Sequence, residues 1–466
     1  MTEIKNPGNF INDQESLSSA SVPGTGSQNA AGLESATPKR LAPVTEKNRI
    51  ETIDVLRGVA VFGILVMNIY SFAMPFSPYN NPLLWDGTGT LSKWVWFFTH
   101  FLFDQKFLPV FSMLFGAGLI LMSERSGTGK FAGTWYRRSL WLLVIGAAHA
   151  YLIWFGDILF TYALLGLLIY PLRRKKAKSL IIFGSIWMLV APMISTGAGF
   201  WMEKMDAEAK VLESRVEAGE ELTEEETLAL ESWYEIRPTI NPTDEDLNAD
   251  VEAYLGSYKD ALAQRAPMVL IIQTMNILFF GLWRIGGLML IGMGLMKLGF
   301  FSAQKDVGTY RRSLIWCYGL GLPLVIVSAW QLDKHDWNFI FLHQMGIHWN
   351  YVGSVFVSLG HVSLVMLAVK RNWLGSLKRR FAAVGRMAFT NYLMQSIICT
   401  MIFYGYGLGF YGSVGRPIQM LIVLLVCIFQ LFYSAWWLDR FRYGPAEWFW
   451  RLLTYGKLTG FFRKVT

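Results

Sequence analysis

A histidine and an aspartate lie on either side of a very short turn between two apolar segments. His149 is near the end of the first segment and Asp157 begins the second, in IGAAHAYLIWFGDILFTYALLG. A carboxylate that orients an imidazole is the arrangement a general base requires. The same residues suit a structural role, with His149 packing two helices and Asp157 capping the second. We predict that the two side chains approach each other, and both interpretations stay open.

A second histidine–carboxylate pair precedes the segment FLPVFSMLFGAG. His100 and Asp104 are i, i+4 neighbours on a helix, and Lys106 follows two residues later. His100 is therefore a second candidate base, although a wet interfacial helix would carry the same polar face. Arg284, within GLWRIGGLMLIG, could pair with Asp104 or Asp157 or bind an anionic substrate. We predict Asp104, Lys106 and Arg284 as substrate-binding residues.

The first apolar segment, RIETIDVLRGVAVFGILVMNI, begins with charged residues. Asp54 and Arg57 are spaced i, i+3, so they share a helix face and can pair. Arg57 would otherwise bind a phosphate or another anion arriving from the cytoplasm. Asn68, eleven residues after Arg57, lies deeper on about the same face.

Long apolar runs position all of these residues. The 466 residues are 53% hydrophobic and only 16% charged, whereas a soluble domain would carry about a quarter charged residues. We predict an all-α, polytopic integral membrane bundle of about ten transmembrane helices. The predicted spans are 53–75, 105–122, 136–154, 156–172, 179–202, 279–299, 312–331, 350–370, 383–405 and 415–438.

Basic residues occur in alternate connections, and this alternation predicts the topology. The clusters are Lys47/Arg49, Arg125–Arg138, Arg173–Lys178, Lys297–Arg312, Lys370–Arg386 and Arg440–Lys464. Because Lys- and Arg-rich loops stay cytoplasmic, ten crossings place both termini and every cluster inside. The net charge of +8 therefore indicates topology and contact with the lipid bilayer rather than nucleic-acid binding.

Composition divides the chain into four parts. Residues 1–48 are predicted to be a disordered cytoplasmic tail, 49–202 an N-terminal membrane bundle, 203–265 an acidic helical extracytoplasmic insert, and 266–466 a C-terminal bundle with a cytoplasmic amphipathic tail. The loop with His335, Asp336, His343 and His348 matches no closed zinc motif, and the three cysteines lack CxxC spacing. We predict no metal site.

Several ordered motifs resemble the YeiB-like bacterial membrane proteins. They are IDVLRGVAVFGILVMNI, KFLPVFSMLFGAG, the His149 block with GDILFTYALLGLL, and the closing VGRMAFTNYLMQSIICTMIFYGYGLGFYG with RYGPAEWFWRLLTY. That family is similar to the transmembrane acyltransferase superfamily, which includes heparan-alpha-glucosaminide N-acetyltransferase. His149 lies inside a YeiB-like motif, whereas His100 occupies the region before the second span in which the superfamily places its catalytic histidine.

The resemblance implies an acyltransferase in the bacterial cytoplasmic membrane. It would move an acyl group, such as acetyl, from cytosolic acyl-CoA to an envelope sugar, lipid or small-molecule acceptor, and a homodimer is compatible with this. Arg57, Asn68, Arg386, Asn391 and Gln395 would bind the CoA, although the amide side chains of Asn391 and Gln395 also suit interhelical hydrogen bonds.

Two other classes of function stay open from the residues alone. In a transporter or flippase, Arg57, Asp104, His149 and Arg284 would line a permeation route. In a non-catalytic membrane scaffold, the acidic insert would recruit a partner.

Overall fold

The computed structural model describes residues 49–85, 89–125, 131–456 and 462. The predicted tail 1–48 lies outside the described residues, as do Lys47 and Lys464. The described residues contain helices and no strand, apart from one isolated bridge between Phe441 and Phe462. The all-α prediction is confirmed.

Eighteen α-helices follow one another in the described residues, with two 3₁₀ and two π segments. The α-helices are α1 Glu51–Ala73, α2 Thr90–Leu102, α3 Phe107–Arg125, α4 Phe131–Leu152, α5 Leu159–Ile169, α6 Ala177–Met188, α7 Val190–Glu217, α8 Glu224–Ile240, α9 Asp244–Leu255, α10 Tyr258–Ile271, α11 Leu282–Lys297, α12 Val307–Lys334, α13 Phe339–Phe341, α14 Ile347–Lys370, α15 Leu377–Arg386, α16 Ala388–Phe403, α17 Arg416–Arg440 and α18 Pro445–Tyr455. The 3₁₀ segments are Ser77–Tyr79 and Tyr170–Arg174, and the π segments are Ile272–Gly281 and Leu342–Gly346.

Seven helical stretches among the described residues are long and apolar enough to cross a membrane. They are Glu51–Ala73, Thr90–Glu124, Ala177–Glu217, Tyr258–Lys297, Val307–Lys334, Phe339–Lys370 and Arg416–Arg440. The protein is therefore a multi-pass membrane helix bundle.

The other three predicted spans are helical but different in form. The first, α4, carries Arg137 and Arg138 in its first third, and the second, α5, has 11 residues before a 3₁₀ turn continues it. The third is broken at Met387, with α15 before the break and the 16-residue α16 after it. Ten crossings and the location of the termini stay predictions.

The basic connections meet at one end of the bundle, called the basic end below. Lys297 donates to the carbonyls of Arg173 and Lys175 at 2.7 and 2.6 Å, and Lys370 donates to that of Ala303 at 2.8 Å. Trp450 donates to the carbonyl of Arg138 at 2.9 Å. Clusters far apart in the sequence thus converge, as their alternation predicts.

The acidic insert is helical and is fixed to the opposite end, the insert end. It comprises the last part of α7, then α8, α9 and the start of α10, and α8 to α10 each begin with a capping box in which a hydroxyl and a carboxylate exchange hydrogen bonds with backbone amides. The buried Arg265 donates to the carbonyls of Tyr151, Leu152 and Ile153 at 2.8–3.1 Å. The guanidinium therefore caps the carboxyl end of α4.

Paired glycines allow two helix crossings in which the backbones touch. At the crossing of α3 and α11, a Cβ on Gly116 would lie 2.0 Å from the Met289 carbonyl oxygen, and one on Gly292 would lie 2.0 Å from that of Met113. At the crossing of α1 and α15, a Cβ on Gly385 would lie 1.8 Å from the Asp54 carbonyl oxygen. Such close approach is typical of membrane helix packing.

We expect Gly385→Ala to force α1 and α15 apart. Overpacking of this kind costs about 1–3 kcal/mol, so the Tm of the purified protein in detergent should fall. Gly319→Ala is the matched control, because nothing lies within 4 Å of its Cβ position on α12. Equal Tm values for both variants would contradict the crossing.

Candidate functional site

The predicted His149–Asp157 pair forms in the structure. His149 Nδ1 lies 2.7 Å from Asp157 Oδ2, and both side chains are 1% exposed. Because a carboxylate only accepts, Nδ1 carries a proton, and in the neutral ring Nε2 then carries the lone pair. His149 Nε2 is buried with no hydrogen-bond partner among the described residues. The imidazole is thus oriented by an acid and keeps its basic nitrogen unused.

Asp157, one residue before the N-cap Ile158, also holds the start of α5. Its Oδ1 accepts from the backbone N–H of Phe160 at 2.8 Å. Gly146 makes room for this arrangement, because a Cβ there would lie 2.9 Å from Oδ1 and 2.3 Å from the Phe160 nitrogen. One carboxylate therefore fixes the hairpin between α4 and α5 and the orientation of His149.

Tyr392 on α16 completes this site and was missed by the sequence analysis. Its ring centre lies 5.3 Å from that of His149. Its hydroxyl accepts from the N–H of Ile158 at 3.3 Å and lies 3.4 Å from the carbonyl of Gly156. The signal available was the motif FTNYLMQ, in which Tyr392 directly follows the chosen Asn391.

The His100–Asp104 pair also forms, with Nδ1 3.1 Å from Oδ2. The ring stacks on Trp96 at 4.5 Å, and Nε2 is buried without a partner among the described residues. Asp104 is shared more widely than Asp157, since it accepts from the Tyr79 hydroxyl at 2.7 Å and from the Asn350 amide at 3.4 Å. Burial and the Asp104 carboxylate raise the pKa of Tyr79 well above its usual value, which keeps this donor protonated.

Lys106 and Arg284 are fully buried cations near Asp104. The Lys106 ammonium donates to the carbonyl of His100 at 2.6 Å and to Asn350 Oδ1 at 2.9 Å. Gln105, in the left-handed conformation at φ 59°, turns the chain between Asp104 and Lys106.

An ion pair of Arg284 with Asp104 or Asp157, one of the two alternatives for this residue, does not form among the described residues. It donates to the Tyr351 carbonyl at 3.1 Å and to Ser354 Oγ at 2.8 Å, and its guanidinium lies 4.1 Å from the Tyr351 ring centre. Its Nε is buried without an acceptor in the described part of the chain. The correction follows from α14, which supplies neutral acceptors closer than either carboxylate.

The predicted anion-binding residue Arg57 lies at the basic end. Asp54 accepts from Arg49 at 2.9 and 3.0 Å and more weakly from Arg57 at 3.5 Å, and Arg57 keeps 31% of its side chain exposed. Arg57 faces α3, where a Cβ on Gly118 would lie 3.8 Å from its guanidinium. Asn68 is half-buried about three turns further along α1.

Asn391 and Gln395, which were predicted to bind the CoA, belong to a buried hydrogen-bond network. Asn391 donates to the carbonyl of Val384 at 3.2 Å and to Ser434 Oγ at 2.9 Å, while Gln395 donates to Gln430 Oε1 at 2.9 Å. The network joins α16 to α17, so these amides make the interhelical hydrogen bonds that were one of their two predicted roles. Arg386 is half-buried at the end of α15.

Glu447 on α18 is hydrogen-bonded to another helix rather than to Arg451, four residues further along α18. Its carboxylate accepts from the N–H groups of Phe389 and Thr390 at 2.8 and 3.1 Å and from Thr390 Oγ1 at 2.5 Å. Burial raises the pKa of Glu447, and these hydrogen bonds oppose the rise. Arg451 instead lies over the Tyr443 ring. Glu447 therefore caps the amino end of α16.

The histidines of the loop considered for metal lie on separate partners. His343 Nδ1 is 3.0 Å from Ser195 Oγ, His348 Nε2 is 2.7 Å from Thr196 Oγ1, and His335 stacks on Phe341. The first two contacts join α7 to the start of the helix that continues as α14. No group of three or more potential metal-binding side chains occurs among the described residues.

Comparison with known proteins gives consistent matches over most of the chain. The uncharacterised protein YxaH of Bacillus subtilis is 31% identical over 433 residues, covering 89% of this chain and 96% of that protein. The uncharacterised protein YeiB of Escherichia coli is 31% identical over 413 residues, covering 86% and 95%.

The chain belongs to the YeiB-like family. Residues 295–457 match the model of a family described as a protein of unknown function, DUF418. An uncharacterised 39.9 kDa protein from the amylase 3′ region of Bacillus acidopullulyticus is 24% identical over 417 residues, covering 89% and 96%. No solved structure matches the chain. Within this YeiB-like chain, the matched region includes both Glu447 and the helix that it caps.

We expect Glu447→Ala to loosen the first turn of α16 in this YeiB-like protein. Loss of a helix cap costs about 1–2 kcal/mol, and the freed amides of Phe389 and Thr390 should exchange hydrogen faster. Hydrogen-exchange mass spectrometry of the peptide that contains them measures this. Glu235→Ala, at an exposed position of α8, is the control, and unchanged exchange in Glu447→Ala would refute the cap.

Proposed function

We propose that this protein is an integral-membrane acyltransferase of the bacterial cytoplasmic membrane, which uses cytosolic acyl-CoA. The observation that supports this most strongly is the buried His149–Asp157 pair, with 2.7 Å between Nδ1 and Oδ2 and an unused Nε2. A histidine held in one tautomer by a carboxylate is the arrangement of a general base.

His149 would act on an acceptor hydroxyl or amine. Nε2 takes the acceptor proton while the acceptor oxygen or nitrogen attacks the thioester carbonyl carbon. The tetrahedral intermediate then collapses with cleavage of the C–S bond, and the imidazolium returns the proton to the departing CoA sulfur. The Asp157 carboxylate would keep its hydrogen bond to Nδ1–H and stabilise the imidazolium.

The basic end would face the cytoplasm and receive the CoA phosphates. Loops rich in Lys and Arg stay on that side of a membrane. Arg57 keeps an exposed fraction and only a weak contact with Asp54, so its guanidinium can still bind a phosphate. Arg138 lies near enough to Arg57 and to Arg451 to be affected by the charge of each. These cations would form the phosphate site.

The spacing along α4 suits a CoA molecule that reaches from the basic end to His149. Arg138 and His149 are eleven residues apart, which places them on nearly the same helix face at about 16 Å. An extended pantetheine arm has the length of about four or five extended residues, or roughly 16 Å. The donor could therefore bind at the basic end and present its thioester at the insert end.

Lys106 and Arg284 support a role in binding an anionic acceptor. Both are fully buried, and the hydrogen bonds described for them go to neutral oxygens rather than to a carboxylate. Buried cations of this kind also favour the rival function, a transporter for an anionic solute. A transporter would move its solute without breaking a thioester, so the two functions differ in CoA release.

We expect His149→Ala to lower acyl-CoA turnover by about 10²–10⁴-fold, the contribution of a general base. Asp157→Asn should lower it as well, because the amide presents a donor to Nδ1 and no longer holds the tautomer. The assay follows release of CoA from radiolabelled acetyl-CoA by purified protein, with an envelope extract as acceptor.

The matched control is His335→Ala, an exposed histidine that should leave turnover unchanged. If His100→Ala alone abolishes turnover, the base is His100 and the assignment of His149 is wrong. If the wild type neither binds acetyl-CoA nor releases CoA with any extract, the enzyme proposal fails.

We expect Arg57→Gln to weaken acyl-CoA binding with little effect on kcat. The loss of one phosphate contact corresponds to about 1.5–3 kcal/mol, so KM should rise roughly tenfold or more. The control is Arg311→Gln, an exposed arginine of α12 that should not change KM. A fall in kcat at unchanged KM would contradict a phosphate-binding role.

A further inference from the structure

We propose that an apolar groove on the side of the bundle binds one acyl chain of an anionic membrane lipid. The groove has a volume of about 640 Å³ and lies between α1 and α17. Val59 and Val66 mark its length on α1, and Met420 and Cys427 mark it on α17. Trp94 on α2 and Phe381 on α15 also line it.

The lining is suited to hydrocarbon. It contains aliphatic and aromatic side chains, and the only polar atoms of its side chains are the Trp94 indole N–H and the Cys427 thiol. From Val59 to Val66 the groove extends about 10 Å along α1, which is a third of a bilayer core. An acyl chain in it would contact several helices at once, because the lining residues come from α1, α2, α3, α15 and α17.

Gly63 and Phe107 form the floor of the groove. A Cβ on Gly63 would lie 2.3 Å from the Phe107 ring, so only glycine lets this ring lie flat against α1. On its other side the ring stacks on His361 at 5.1 Å. Phe107 thus separates the groove from the polar residues around Lys106, and the lipid site is distinct from the proposed catalytic site.

Arg380 supplies a cation beside the groove on the side of the basic end. Its neighbour Phe381 lines the groove, while the Arg380 guanidinium lies 4.1 Å from the ring centre of Phe432. Phe432 is five residues beyond Cys427, or about 7.5 Å closer to the basic end. Arg379 is exposed beside it. A lipid phosphate held there would place the attached chain in the groove.

Photoreactive lipids test this in the full-length protein reconstituted in nanodiscs. Phosphatidylglycerol and phosphatidylcholine, each with a diazirine in the same acyl chain, are crosslinked in parallel, and labelled peptides are identified by mass spectrometry. We expect labelling to concentrate on Val59–Val66 and Met420–Cys427. Phosphatidylglycerol should exceed phosphatidylcholine about fivefold, the effect of one basic side chain near a membrane surface.

Two pairs of variants locate the chain and the headgroup. Leu424→Trp should lower labelling by both lipids, while Leu425→Trp should not, because both leucines are exposed on α17 and only Leu424 lines the groove. Arg380→Gln should remove the preference for phosphatidylglycerol, and Arg311→Gln should keep it.

Labelling spread evenly around α17, or equal labelling by the two lipids in the wild type, would overturn the proposal. Crosslinking requires no acyl transfer. A negative result would therefore overturn the lipid site without bearing on the proposed acyltransferase function.

Discussion

Polar side chains buried among membrane helices need partners within the protein, because lipid offers none. In this bundle the need is met mainly across helices rather than along them. Asn391 and Gln395 bind α17, Glu447 caps α16, and Arg265 caps α4. These contacts fix the helices that surround His149. Among the described residues, His149 Nε2 and Arg284 Nε are buried atoms that this network leaves without a partner.

The sequence predicted those features that depend on local spacing. The basic connections meet at one end because alternation along the chain follows from crossing a membrane. His149 and Asp157 meet because the turn between their helices is very short. The break at Met387 was not predicted, because Gly385, two residues before it, is a residue that also occurs inside membrane helices. The carboxylate that caps the new helix end comes from Glu447, far along the chain.

The partners of the candidate site residue Arg284 also could not be predicted from local spacing in the sequence. Its sequence context suggests an ion pair, because a buried guanidinium usually has a carboxylate. The structure instead supplies a carbonyl and a hydroxyl from α14 and the face of Tyr351. Tyr392 and Asn350 were missed for the same reason, since each joins its site from a helix distant in the sequence. Packing of separate helices determines these partners.

The two histidine–carboxylate pairs differ in how much negative charge each ring receives. Asp157 gives one oxygen to His149 and the other to a neutral backbone amide, so the imidazolium would gain most of its charge. Asp104 is divided between His100, Tyr79 and Asn350, and the Lys106 ammonium lies beside the carbonyl of His100. A proton added to His100 would meet this positive charge in a poorly screened site. The surroundings therefore favour His149 over His100 as the proposed base, while the backbone carbonyl of His100 holds Lys106.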